Sequence, residues 1–276
     1  MSAPLEGKTV ALIGAGNMGL AMLEGWASEG LCGDQVAVIE PNPSERLQTI
    51  CRAKGYALGP APAAASVARD AVILAVKPQM LDAGAEAAAP FVGPGSLVVS
   101  ILAGKRIADI AARLPAAQVI VRAMPNTPAA IARGVTGAYA GGATNEDQRA
   151  LAHALLAAVG QVEWVDSEAL IDAVTAVSGS GPAYVFYLVE CLAAAGVEAG
   201  LPAALSARLA RATIEGAGEL LHRQSDVSAE ALRQRVTSPG GTTAAALSVL
   251  MAEDGLAPLM SRAVAAAKKR AGELSG

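Results

Sequence analysis

Apolar and polar positions divide the chain into two regimes. Through about the first 165 residues, short apolar runs recur as TVALI, QVAVIE, AVILAV, SLVVSIL and QVIVRAM, separated by amphipathic or Ala-rich segments. Such alternation predicts a parallel sheet with helices on both faces. The runs are apolar throughout instead of alternating with polar residues, as strands covered on both sides require. GVTGAYAG and QVEWVDS read as further strands flanking the helix NEDQRALAHALLAAVG. Beyond Ser167 strand signals cease, and Ala, Leu, Gly and helix-compatible polar residues remain, interrupted at SGSGP, near GLP and at VTSPGGTT. The division falls at residues 1–164 and 165–276. The first part is an α/β, doubly wound, mostly parallel domain, and the second an all-α domain. A helical domain this small and Ala-rich has little core of its own, which predicts that it completes itself by dimerising.

GAGNMG gives the first domain a chemical purpose. It follows the strand TVALI and opens the helix MGLAMLEGWASEG. Gly14 permits the tight turn, Gly16 lets backbone approach a pyrophosphate, and Gly19 allows the helix to pack on the strand. With Ala15, Asn17 and Met18 these glycines form a phosphate loop at a helix N-terminus, where free N–H groups and partial positive charge favour an anion. This context makes the domain a Rossmann NAD(P)-binding domain. The cofactor choice stays open. Glu40, 26 residues after Gly14, lies where an acidic residue bonds the adenosine ribose hydroxyls and repels a 2′-phosphate. Against it, Asn42, Ser44 and Arg46 form a polar and cationic set suited to that phosphate.

Open α/β sheets place ligands beyond the carboxyl ends of their strands. Ala75, Val76, Lys77 and Pro78 close the run AVILAV, and Ile101, Leu102 and Ala103 follow SLVVS; both stretches are candidate cofactor contacts. Lys77 is either a contact or a solvated cap. In MPNTP two prolines fix a loop that either presents Asn126 to the nicotinamide or is purely structural.

Composition removes other classes. The chain has 276 residues, a net charge of −4, eight aromatic residues and no basic block, so nucleic acid is not an expected partner. Hydrophobic content is 53%, but Ala supplies much of it. The most apolar runs, AVILAV and AYVFYLV, fall far short of the roughly 20 residues of a membrane span. The first 14 residues read as a loop and strand, not an export signal. Three cysteines, Cys32, Cys51 and Cys191, widely spaced and without CxxC, fit reduced thiols in a cytoplasmic protein. His153 and His222 sit in helical patterns without further ligands at metal spacing, so no metal is expected.

VTSPGGTT, Val236 to Thr243, carries two readings. Pro239-Gly240 has the sequence of a type II turn. The octet is either a helix-breaking turn with Thr242 or Thr243 as the next N-cap, or a nest of N–H groups at Gly240, Gly241 and Thr242 that holds an anion. Both can hold together.

GAGNMG, VRAMPNTP, AVSGSGPAY and VTSPGGTT, in this order from Gly14 to Thr243, resemble the pyrroline-5-carboxylate reductases. The resemblance implies reduction of the cyclic imine 1-pyrroline-5-carboxylate to L-proline by NADPH or NADH, in a homodimer or higher homo-oligomer. It also implies that Ser238, Gly240, Gly241, Thr242 and Thr243 cradle the substrate, with Ser238 and Thr243 as the catalytic candidates and Thr243 facing the ring nitrogen. Asn42 is implied near the ribose, and Glu168 at a substrate position. The chain departs from the family at Glu40, usually neutral there, and at LAGKRI, where Gly104 is kept. Two rivals remain: a hydroxyacid dehydrogenase, which wants a Lys or His acid in the helical half, and a non-catalytic dinucleotide sensor, which has no need of the octet.

Overall fold

The computed structural model describes residues 5–63 and 66–275; residues 1–4, part of the N-terminal stretch read above as carrying no export signal, lie outside the described residues. The chain forms two compact units, residues 1–180 with 267–276, and residues 181–266.

In the first unit, eight strands make one sheet among the described residues. They are β1 (Val10–Ile13), β2 (Val36–Ile39), β3 (Ala57–Gly59), β4 (Ala71–Leu74), β5 (Leu97–Ser100), β6 (Val119–Met124), β7 (Gly134–Ala140) and β8 (Gly160–Trp164). Their order is β3-β2-β1-β4-β5-β6-β7-β8. The six strands from β3 to β6 are parallel, with Val10 level with both Val36 and Ala71. β7 then runs antiparallel to β6, and β8 lies parallel to β7. The mostly parallel sheet expected from the apolar runs is present, extended by β3. That strand is three residues long and lies at the sheet edge, which gives it no apolar run to read.

Successive residues of each inner strand serve opposite faces. Val10 and Leu12 pack with Met22, Leu23 and Trp26 of α1 (Asn17–Ser28), Leu47 of α2 (Glu45–Lys54) and Leu155 of α5 (Glu146–Ala157). Ala11 and Ile13 face the other way, onto Leu81 and Ala85 of α3 (Leu81–Ala88) and Ile110 of α4 (Ile107–Arg113). The sheet is thus covered on both sides, as its uninterrupted apolar strands require. A polar clamp closes the lower ends of β1 and β4. Asp70 accepts from the Thr9 N–H at 2.9 Å and the Thr9 hydroxyl at 2.7 Å, with Lys8 at 3.8 Å. Burial pushes the Asp70 carboxyl up, but these donors and the Lys8 charge outweigh it and hold it below the ordinary value.

α6 (Leu170–Val174) leads into a π-helical turn, Thr175–Gly179, at the place where SGSGP was expected to kink the chain. The second unit contains α7 (Gly181–Glu198), α8 (Ala203–Arg223), α9 (Ala229–Arg235), α10 (Thr242–Leu250) and the first part of α11 (Leu256–Leu274), which ends in the first unit. α7 and α8 approach closely where Gly196 faces Ser206, whose hydroxyl donates to the Ala193 carbonyl at 2.6 Å. Among the described residues of this unit only Ser206 and Ala210 are buried, while Phe186, Tyr187, Val249 and Met251 are each more than 60% exposed. The shortage of core expected of the helical part is real for the isolated chain. One helical stretch, Leu170–Glu198, is long and apolar enough to span a membrane by length and composition, at mean hydropathy 1.3. The apolar runs had suggested no such stretch, because Ala and the turn at SGSGP hide its helical continuity.

Candidate functional site

The strand ends carry the dinucleotide candidates. Gly14 N–H donates to Ile39 O at 2.8 Å, Ala75 N–H to Ile13 O at 2.8 Å, and Ile101 N–H to Leu74 O at 3.1 Å. These bonds bring the residues after β1, β4 and β5 together at the carboxyl edge of the sheet, with Glu40 directly after β2. The strand order reverses at β1 and β4, so this edge is the topological switch point where such sheets bind ligands.

Two glycines of GAGNMG are required by close contacts within the protein, and the third leaves space beside the loop. Gly14 has φ +88°, and a Cβ there would lie 2.8–2.9 Å from the backbone of Ala75 and Val76. A Cβ on Gly19 would come 2.6 Å from the Gly14 carbonyl. Gly16, the residue before α1, has open space where its Cβ would be. The first bond of α1 runs from Leu20 N–H to Gly16 O. The N–H groups of Asn17, Met18 and Gly19 precede it and have no partner within the helix. This cradle fits a pyrophosphate on residues of the protein itself.

The other predicted residues divide by what they touch. Glu40 accepts N–H groups from Ala15 at 2.9 Å and Asn42 at 3.0 Å. Ser44 is the N-cap of α2, its hydroxyl accepting from Leu47 N–H at 3.2 Å. Arg46 pairs with Glu24 at 2.6 Å. Lys77 is exposed, with no side-chain partner among the described residues, and Pro78 begins a short 3-10 turn. Leu102 is buried in the core, leaving only its backbone toward the strand end, whereas Ile101 and Ala103 are half-buried. Asn126 is buried, and its amide is committed to protein: Nδ2 donates to Ser178 O at 3.2 Å and Oδ1 accepts from Val135 N–H at 2.9 Å. Of its two readings the geometry displays the structural tie.

Glu168 lies in a polar network that sequence reading missed. Its Oε1 accepts from Ile107 N–H, at the start of α4, at 2.7 Å and meets Arg122 at 3.4 Å. Arg122, 4% exposed, also meets Asp172 at 3.4 Å, and Asp172 accepts from the Ser275 hydroxyl. The signal was available as an arginine inside the apolar strand VIVRAM, since a buried guanidinium requires carboxylates.

The octet folds as its turn residues dictate. Gly240 has φ +70°, and Gly241 N–H closes the turn on Ser238 O at 3.0 Å. Gly241 is then the N-cap of α10, displacing both Thr242 and Thr243 from the cap role expected of them. Neither threonine hydroxyl is needed there, because the turn delivers a glycine in extended conformation ahead of the helix. The turn also uses the Gly241 N–H, so the free N–H groups begin at Thr242 and the nest shifts by two residues. Ala245 N–H makes the first helical bond, to Gly241 O at 3.1 Å, leaving the N–H groups of Thr242, Thr243 and Ala244 free of helical partners. The Thr243 hydroxyl has no partner among the described residues, and Ser238 is exposed.

A doubly wound sheet with a glycine phosphate loop at its switch point, followed by helices, defines a dinucleotide-binding oxidoreductase of Rossmann type. Residues 9–104 match a family described as "NADP oxidoreductase coenzyme F420-dependent", and residues 168–274 match "Pyrroline-5-carboxylate reductase dimerisation". The chain is 40% identical over 268 residues to a pyrroline-5-carboxylate reductase of Pseudomonas aeruginosa, covering 96% of each chain. Among solved structures it resembles a pyrroline-5-carboxylate reductase from Coxiella burnetii, at 35% identity and TM-score 0.89, covering 98% of this chain and 99% of that one. A Plasmodium falciparum pyrroline carboxylate reductase with NADP bound matches at 26% identity and TM-score 0.78, with 98% and 99% covered. The chain belongs to the pyrroline-5-carboxylate reductase family.

Proposed function

We propose that this chain reduces 1-pyrroline-5-carboxylate to L-proline, the last step of proline biosynthesis, as a cytoplasmic homo-oligomer built on a homodimer. One observation carries the reading: the Ser238–Gly241 turn runs into α10 so that three consecutive N–H groups, at Thr242, Thr243 and Ala244, stand unpaired beside a free Thr243 hydroxyl. An amino-acid imine presents a carboxylate next to a ring nitrogen, and this array matches both. The amides, together with Gly240 backbone and the Ser238 hydroxyl, hold the carboxylate at a helix N-terminus, and Gly241 shapes the turn that presents them. The Thr243 hydroxyl accepts from a protonated ring nitrogen or donates to the product amine, since a hydroxyl does both.

The nicotinamide cofactor, held on residues 14–19 and the strand ends, supplies the hydride when bound. The chain's own task is orientation. A protonated imine brings its proton with it, so no strong general acid is required of the protein. Aligned reactants can reach effective molarities of about 10⁵ M or more, which makes positioning alone a large contribution. Glu168 enters as a positioning residue through Ile107 and Arg122. A dimerisation match that begins at residue 168 lies near the proposed domain division at 164/165, whereas the compact units divide at 180/181 with residues 267–276 in the first; the exposed apolar side chains of α7 and α10 are the surface such a dimer would cover.

Thr243→Val tests the reading. It keeps shape and removes the hydroxyl; kcat/KM for the imine should fall by the equivalent of about 1–3 kcal/mol while cofactor binding stays unchanged. Unchanged kcat/KM would eliminate the role given to Thr243.

A further inference from the structure

We propose that Glu40 sets the cofactor preference of this chain, in favour of NADH over NADPH. The inference rests on the dinucleotide site and deepens it. Glu40 follows β2 directly, where an acidic side chain accepts from the adenosine ribose hydroxyls. Its carboxylate is not free to swing away: Oε2 accepts the Ala15 N–H at 2.9 Å and Oε1 the Asn42 N–H at 3.0 Å. Both are charge-assisted bonds, and each oxygen keeps further acceptor capacity for a hydroxyl donor. A ribose 2′-hydroxyl therefore finds an acceptor held on the phosphate loop itself. A 2′-phosphate finds a fixed negative charge.

The neighbours able to answer that charge are engaged elsewhere. Arg46 directs Nε and a terminal nitrogen at Glu24 Oε1, at 2.8 and 2.6 Å. The Ser44 hydroxyl caps α2, and Asn42 spends its N–H on Glu40. An exposed ion pair is cheap to break, so the engagement of Arg46 would not decide the matter alone. What decides it is that no comparable rearrangement frees the site of the Glu40 charge, because releasing that carboxylate strands the part-buried Ala15 N–H it serves.

The test is titration of the purified full chain with NAD+ and, separately, NADP+, read by calorimetry without imine substrate. Wild type should bind NAD+ at least about tenfold tighter than NADP+. Glu40→Gln keeps an acceptor and removes the charge; it should shrink that ratio about tenfold or more, mainly by tightening NADP+, with the melting temperature confirming an intact fold. Arg46→Ala should leave the wild-type ratio within about twofold. Equal or tighter NADP+ binding by wild type, a ratio unmoved by Glu40→Gln, or loss of NADP+ binding in Arg46→Ala would each overturn the proposal. None of these readouts involves the imine, so they stand or fall separately from the assigned reaction.

Discussion

Replacing Glu168 by alanine separates two roles for one carboxylate: a structural tie, drawn by its contacts, and a substrate group, implied by the family resemblance. The side chain accepts the Ile107 N–H at 2.7 Å and meets Arg122 at 3.4 Å. A charge-assisted hydrogen bond to backbone is worth about 1.5–3 kcal/mol. The ion-pair loss is discounted to about 1 kcal/mol, because Arg122 keeps Asp172 and Glu168 is 26% exposed. Glu168→Ala should therefore destabilise by about 2.5–4 kcal/mol, and Glu168→Gln, which retains an acceptor, by about 1 kcal/mol. Equilibrium urea unfolding at fixed protomer concentration measures both, fixed because oligomers gain stability by mass action. A loss below about 1 kcal/mol for the alanine variant would refute the tie. A tenfold rise in KM for the imine in Glu168→Gln at unchanged stability would make Glu168 a substrate anchor instead.

Two further outcomes follow from the geometry. Gly14→Ala combines a positive φ with a Cβ 2.8–2.9 Å from immovable backbone; a cost of about 2–5 kcal/mol, with dinucleotide affinity lost first, is expected in unfolding and titration experiments. Asp70 has a depressed carboxyl, so its contribution is fully present above the unfolded aspartate value of about 3.9 and is lost as pH falls through the lower folded value. Melting temperatures of wild type and Asp70→Asn should differ at pH 6, and the gap should narrow as pH falls below the unfolded aspartate value of about 3.9; a gap that stays constant on acidification would contradict the assignment.

The parallel core was legible because its strands are short, apolar on both faces and spaced by helices, and the phosphate loop because three glycines stand at a fixed spacing between a strand and a helix. Gly240 was equally readable, since Pro followed by Gly specifies the turn that forms. β3 escaped because an edge strand of three residues leaves no pattern; β7 was read as a strand in GVTGAYAG, but its antiparallel direction was not, because direction is set by tertiary connection rather than local composition. The cap of α10 went to Gly241 instead of a threonine because the turn consumes the Gly241 N–H and sets its extended backbone. Side-chain partnerships were the least accessible part. Asn126, Ser44 and Arg46, candidate ligands by residue type, also bond protein groups that residue type does not disclose. The Arg122 network joins β6 to residues 46 and 50 positions later, a proximity only the fold creates.

The proposed reaction can be followed by the absorbance of NADH and of NADPH with the purified chain in the presence and absence of 1-pyrroline-5-carboxylate. Consumption should depend on the imine, yield L-proline in equal amount and run faster with NADH. No consumption of either cofactor upon addition of the imine would contradict that reaction.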